Sequence, residues 1–213
     1  MDAVIDPKIT YERDVWLGVL LFLNLNYFCA PFIFNIFPAT DSLFLAYYIS
    51  IVNLTIVLGY FLFRYGGLKF EEYFLGKRRC LLLGVSCLIL SLGIYLLILN
   101  REGVNSELAV LFQSLSKYQY ILVLIATIII GPFLEETLYR RFILEILRNK
   151  YHLFFAILIT SGIETSFHHT YSWGDLIIIF FLSIFNSIVY LLGGLGVSVL
   201  FHSMHNALII FLS

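Results

Sequence analysis

The sequence predicts an all-α fold, a polytopic transmembrane helical bundle of about seven membrane helices, within a range of about six to eight. Hydrophobic residues make up 61% of the chain and charged residues only 13%, which is far from the composition of soluble globular domains. Apolar runs of about 20 residues, the length that crosses the hydrocarbon layer, recur along the chain. Because the chain has 213 residues and short loops, we expect one integrated domain in a lipid bilayer.

Apolar segments define the predicted crossings. They cover residues 16–37, 43–63, 80–99, 118–149, 151–167, 176–192 and 195–212. We divide the chain into an N-terminal part, residues 1–117, with helices 1–3, and a C-terminal helical core, residues 118–213. Gly131-Pro132 interrupts the long fourth segment, because proline removes a backbone hydrogen bond and permits a kink.

A basic segment near residues 64–79 separates the second and third crossings. Its lysines and arginines alternate with tyrosines and phenylalanines, a composition that suits a short helix in the lipid headgroup layer. A plain solvated loop fits the same residues equally well. With the N-terminus in the cytoplasm, every lysine and arginine except Arg101 and Lys117 falls on the cytoplasmic side, as the positive-inside rule requires.

Charge and cysteine content exclude two other classes of protein. A net charge of −1 gives no basis for nucleic-acid binding. Cys29, Cys80 and Cys87 lie in or beside apolar runs, and their odd number argues against a disulfide framework.

Ionisable and amide side chains form three clusters inside the apolar core segments. An ionisable side chain at membrane depth costs roughly 2.5–3.5 kcal/mol on insertion scales, so function is the default hypothesis. A solvated helix end at the interface is the alternative for the first cluster. Residues four apart share a helix face. Each cluster contains one such pair: Glu136 and Arg140, Glu164 and His168, and His202 and Asn206. The clusters are Glu135, Glu136 and Arg140; Glu164, His168 and His169; and His202, His205 and Asn206.

Helix geometry permits these clusters to meet. At a rise of 1.5 Å per residue, Glu135 and His168 both stand roughly 22–27 Å from a turn near Lys150. His202 and Asn206 stand about 12–18 Å beyond the turn at Gly193-Gly194. The three clusters can therefore occupy one cavity if the two turns differ somewhat in height.

The residue types suit hydrolysis. A carboxylate can take a proton from water, an imidazole can orient that water or protonate a leaving amine, and an amide can donate to an oxyanion. Metal binding by glutamate and histidine is the competing chemistry, but the sequence has no HExxH motif, and we expect neither a metal nor another cofactor. These residues alone do not select a peptide as the substrate.

Two motifs resemble those of a known family. The segment Pro132-Phe133-Leu134-Glu135-Glu136-Thr137-Leu138-Tyr139-Arg140 resembles the EExxxR motif of the CPBP (CAAX protease and bacteriocin-processing, Abi) family of intramembrane proteases, and His202-Ser203-Met204-His205-Asn206 resembles its HxxxN motif. The resemblance covers roughly residues 118–210. Two positions depart from the family pattern: Glu164 replaces the phenylalanine of the FxxxH motif, and Arg141 replaces a glycine.

The resemblance implies a glutamic-type intramembrane endopeptidase that requires no metal. It implies that the catalytic residues are Glu135, His168, His202 and Asn206, with Glu136 and Arg140 as supporting residues. The FxxxH frame favours His168 over His169. The implied substrate is a peptide or a membrane-anchored protein, including one that carries a lipid. The implied location is the cell membrane, specifically a bacterial inner membrane. The alternatives are a non-catalytic immunity or scaffold protein of the same family and a proton-coupled transporter. The sequence leaves the oligomeric state open.

Overall fold

The computed structural model describes residues 11–22, 39–65, 115–168 and 173–212, with isolated positions at residues 89 and 93. No strand occurs in these ranges, which agrees with the predicted all-α fold. The predicted third crossing and most of the basic segment lie outside the described residues. The chain forms two compact units, Met1–Leu68 and Lys69–Ser213, and each is treated by itself.

The N-terminal unit contains two described helices, α1 over residues 11–22 and α2 over Ala39–Tyr65. Both begin earlier than the predicted crossings. In α1, Arg13 pairs with the neighbouring Asp14 at 3.1 Å, so the helix includes charged residues that precede the first predicted crossing. The predicted crossing over residues 43–63 lies within α2, which is already helical at Ala39.

The longest helix of the second unit, α3, spans Lys117–Arg148. Ser116 and Gln119 start it with a reciprocal capping box. Two stretches are π-helical, Ala126–Ile130 and Thr137–Leu144, and at the end of the first stretch the N–H of Gly131 donates to the carbonyl of Ala126. The predicted interruption at Gly131-Pro132 is therefore a widened turn rather than a break. A π turn changes the register of the backbone hydrogen bonds next to a proline that cannot donate one.

The structure describes three further helices of this unit: α4 over Leu153–Ser166, α5 over Trp173–Gly193 and α6 over Leu195–Leu212. The predicted crossings at these positions are confirmed as helices to within a few residues. Helix α5 packs against both α4 and α6, and α6 packs against the middle of α3. This arrangement places the middle of α3 in contact with α4, α5 and α6.

Length and composition of the described helices fit a membrane protein. Helices α3 and α5 are long and apolar enough to cross a bilayer, and Tyr48–Phe63, Leu153–Ser166 and Leu195–Ile210 are shorter apolar helices. Large apolar side chains such as those of Ile129 and Phe181 are exposed on the outer helix faces, as expected for surfaces in lipid. The count of about seven crossings stays a prediction.

The turn between α5 and α6 depends on Gly194. Its φ is 82°, in the left-handed region, and its N–H donates to the carbonyl of Tyr190 at 2.8 Å. We expect Gly194→Ala to destabilise the protein by about 1–2 kcal/mol, because a Cβ atom is disfavoured in this conformation. Thermal unfolding in detergent micelles measures the effect. The control is Gly162→Ala within α4, where an added Cβ meets no atom within 4 Å and no loss is expected. Equal melting temperatures of both variants would contradict the prediction.

Candidate active site

A fully buried carboxylate, that of Glu136 on α3, joins three helices. Its Oε1 accepts a hydrogen bond from Asn186 Nδ2 at 3.0 Å and lies 2.8 Å from His202 Nδ1. Its Oε2 accepts a hydrogen bond from the hydroxyl of Ser198 and lies 3.1 Å from Arg140 Nε. Since a carboxylate has about four lone-pair sites, Glu136 is saturated by these contacts. It therefore acts as a fixed acceptor that holds α3, α5 and α6 together.

The Arg140 guanidinium is also fully buried and lies between two carboxylates. Its contact with Glu136 confirms the pairing predicted from the i, i+4 spacing. The second carboxylate belongs to Glu164 on α4, whose Oε2 lies 2.7 Å from Arg140 Nη1 and accepts a hydrogen bond from the Ser183 hydroxyl at 2.5 Å. The residue that departs from the family motif thus supplies a buried counter-charge.

The neighbouring carboxylate, that of Glu135, lies in a different environment. Its side chain is 27% exposed, whereas that of Glu136 is fully buried. Its Oε2 lies 3.7 Å from His202 Nε2, while Nδ1 of the same ring faces Glu136. A separation of 3.7 Å is too long for a direct hydrogen bond, and a water in contact with both atoms would lie beside the line that joins them. The imidazole of His202 therefore links the saturated glutamate to the accessible one.

His168 lies at the end of α4, where its Nδ1 is 3.0 Å from the backbone oxygen of Glu164. His168 thus contacts the main chain of Glu164, whereas the Glu164 carboxylate contacts Arg140 on α3. The carboxylate turns to Arg140 because the guanidinium is a stronger partner for it. His168 is also close enough to Glu135 for an electrostatic interaction. His169 lies outside the described residues.

Asn206 lies one helical turn beyond His202 on α6. Its Nδ2 donates to the backbone carbonyl of Thr127, in the first π-helical stretch of α3, at 2.9 Å. The contact holds the amide against α3 about two helical turns before the two glutamates. His205 is buried, but on a different side of α6 from the line that joins His202 and Asn206.

The structure thus brings together Glu135, Glu136, Arg140 and His202, as the sequence predicts, and places His168 and Asn206 at the edge of this group. Sequence reasoning missed the contributions of Ser183 and Ser198. Ser198 could have been found, because it precedes His202 by one helical turn and shares its face. Asn186 also belongs to this group, because its side-chain amide donates to Glu136.

Three side chains of this group could hold a metal ion. One potential ligand atom from each of Glu135, Glu164 and His202 lies within 4.8 Å of the other two. Three carboxylates and one guanidinium are concentrated here, so the group carries more negative than positive charge when all four are ionised. Both water activation and cation binding are consistent with this arrangement.

Residues 117–208 match a family model described as type II CAAX prenyl endopeptidase Rce1-like. The matched segment starts at the first residue of α3 and ends within α6, so it includes every residue of the cluster. The chain has no match among the curated proteins or among the solved structures.

Proposed function

We propose that the chain belongs to the CPBP family, on the basis of its Rce1-like segment, residues 117–208, and that it is a glutamic-type intramembrane endopeptidase. The observation that carries this proposal is the contrast between the two adjacent glutamates. Glu136 is saturated by its partners, whereas the Glu135 carboxylate is partly exposed and faces His202 Nε2. Glu135 is therefore the carboxylate that can accept a proton from water.

In the proposed reaction, a water contacts both Glu135 Oε2 and His202 Nε2 from one side. Glu135 takes one proton from this water while its oxygen attacks the carbonyl carbon of the scissile peptide bond. The carbonyl π bond opens and leaves a tetrahedral oxyanion. When that intermediate collapses, the C–N bond breaks, and the proton held by Glu135 passes to the leaving nitrogen. His168, at the end of α4, is positioned to assist this transfer.

Oxyanion stabilisation would come from α6. An imidazolium at His202 donates from both ring nitrogens, from Nδ1 to Glu136 and from Nε2 into the site. The Asn206 amide has two N–H bonds; one donates to Thr127, and the second is available to the oxyanion. Donors that are already oriented stabilise such an anion strongly in a low-dielectric cavity.

The other buried charges would orient these groups. Glu136 fixes the plane of the His202 ring through Nδ1, as outer carboxylates do for functional histidines. Arg140 in turn holds Glu136 and Glu164 in place. We assign Glu136 and Arg140 a positioning role, since Glu136 contacts the Nδ1 side of the His202 ring and Arg140 contacts Glu136 and Glu164.

The proposed substrate is a peptide bond in a membrane-anchored protein, including one that carries a lipid. The family description refers to prenyl endopeptidases, and the cluster lies midway along a 32-residue apolar helix. We place the protein in the cell membrane, as in a bacterial inner membrane, with a cytoplasmic N-terminus. The distribution of lysine and arginine supports this orientation.

A cleavage assay with purified full-length protein in detergent tests the proposal. Prenylated and unprenylated peptides with a membrane anchor are incubated with the enzyme in the presence of a chelator, and Glu135→Ala serves as the blank. We expect the wild type to cleave with or without chelator and Glu135→Ala to be inactive. Equal cleavage by both proteins, or activity that disappears with chelator and returns with added metal, would contradict the proposal.

A further inference from the structure

We propose that Glu135, Glu164 and His202 form a binding site for a divalent transition-metal ion such as Zn²⁺, and that an ion bound there inhibits the enzyme. The three potential ligand atoms lie within 4.8 Å of one another, and Glu135 Oε2 is 3.7 Å from His202 Nε2. Two ligands that are each about 2.0–2.2 Å from one zinc ion stand up to about 4 Å apart. Small rotations of the side chains therefore suffice to close the site around an ion.

His202 is oriented as a metal ligand by its second nitrogen. Its Nδ1 lies 2.8 Å from Glu136 Oε1, so Nε2 is the nitrogen that faces Glu135. Histidines that bind metals usually donate their other N–H to a carboxylate or carbonyl, which fixes the ring. Glu136 supplies this outer contact here, and it is itself fully buried and held by three other groups.

Glu164 provides a third ligand from a separate helix. Arg140 and Ser183 both contact its Oε2, and a carboxylate has a second oxygen that can bind an ion. Its side chain is only 5% exposed, which positions it firmly. The FxxxH frame has phenylalanine at this position, and a phenylalanine cannot bind a metal. The proposed property therefore depends on a residue by which this chain departs from the FxxxH frame.

Charge and ligand type determine the kind of ion. In the described part of the chain, Glu136 and Glu164 share the buried guanidinium of Arg140. The Glu135 carboxylate lies close to both glutamates, so a dication would offset two charges in a low-dielectric environment. An imidazole ligand favours zinc, cobalt, nickel or copper over Mg²⁺ and Ca²⁺, which prefer oxygen ligands only. We therefore expect selectivity for transition-metal ions.

Inhibition follows from the position of the ion. It would occupy the space between Glu135 and His202, where the proposed reaction places the attacking water, and it would bind the carboxylate that must accept the proton. This inhibitory part rests on the proposed function. Metal binding itself does not, and the two can be measured separately.

Binding is tested with full-length, metal-free protein in detergent, titrated with Co²⁺ and Zn²⁺. Visible absorption reports the ligand field of Co²⁺, and calorimetry reports the stoichiometry of Zn²⁺. We expect about one equivalent to bind, and Glu164→Gln and Glu135→Gln each to weaken binding by about 10-fold or more. Glu145→Gln is the matched control, since Glu145 pairs with Tyr190 and Arg148 and is not one of the proposed ligands. Absence of stoichiometric binding by the wild type, or wild-type affinity in both ligand variants, would overturn the site.

Inhibition is tested by adding Zn²⁺ to the chelator-free cleavage assay. We expect wild-type cleavage to fall as the binding site fills, with the same concentration dependence as in calorimetry, and Glu145→Gln to respond like the wild type. Metal binding without loss of cleavage, or activation by Zn²⁺, would overturn the inhibitory role. A wild type that binds Co²⁺ but cleaves no substrate in any condition would contradict the proposed function and leave the metal site supported.

Discussion

Glu135→Gln is expected to lower kcat/KM for a membrane-anchored peptide by about 10²–10⁴-fold, the range of a general base contribution. The amide keeps the size of the side chain but cannot accept the proton of the attacking water. Because Glu135 is partly exposed, its replacement should leave the folded structure intact. Initial rates at several substrate concentrations measure the effect, and the melting temperature in the same detergent verifies folding.

Glu145→Gln is the matched control for this substitution. Both glutamates lie on α3, but Glu145 is near the helix end, where its Oε1 accepts a hydrogen bond from Tyr190 at 2.8 Å and its Oε2 pairs with Arg148. We expect this variant to cleave at the wild-type rate. If Glu135→Gln cleaves within threefold of the wild type while remaining folded, Glu135 is not the base.

Arg140→Leu is expected to reduce the free energy of unfolding by about 3–5 kcal/mol, the effect of breaking a buried ion pair from one side. The substitution removes the positive charge between Glu136 and Glu164 and leaves two carboxylates within the bundle. Denaturant unfolding in mixed micelles, followed by circular dichroism, measures the change.

Arg148→Leu provides the comparison for a solvated pair. Arg148 also contacts a glutamate on its own helix, at 2.8 Å, but its side chain is 43% exposed. Exposed pairs contribute about 0–1 kcal/mol, so we expect a small effect. The double variant Arg140→Leu/Glu164→Leu should lose less stability than the sum of the two single variants, because each removes the partner of the other. Equal stability of Arg140→Leu and Arg148→Leu would show that the buried network does not contribute as proposed.

Much of the C-terminal core could be predicted because a bilayer imposes a strong pattern on the sequence. Helices α3, α5 and α6 follow long apolar runs, and their observed ends differ from the predicted crossings by a few residues at most. The contact between Glu136 and Arg140 could also be predicted, since it depends only on the spacing of residues on one helix. The N-terminal helices were less well predicted, because charged residues near their ends were assigned to loops.

The contacts between helices could not be derived in the same way. The partner of Glu164 depends on how far α4 is rotated about its axis against α3, and the spacing of Glu164 and His168 indicated an interaction within α4 instead. Serines such as Ser183 and Ser198 are common in apolar helices, so their residue type alone does not indicate a carboxylate partner. The π-helical stretches change the hydrogen-bond register without a distinctive composition.

The acceptor of the Asn206 amide is a main-chain carbonyl, that of Thr127. Every amino acid carries this group, so natural variation at position 127 would preserve the contact as long as the widened turn of α3 is kept. Evolutionary pressure on this part of the site therefore acts on the path of the backbone. A comparison of related sequences would register Asn206 as constrained and position 127 as free, although the two are in direct contact.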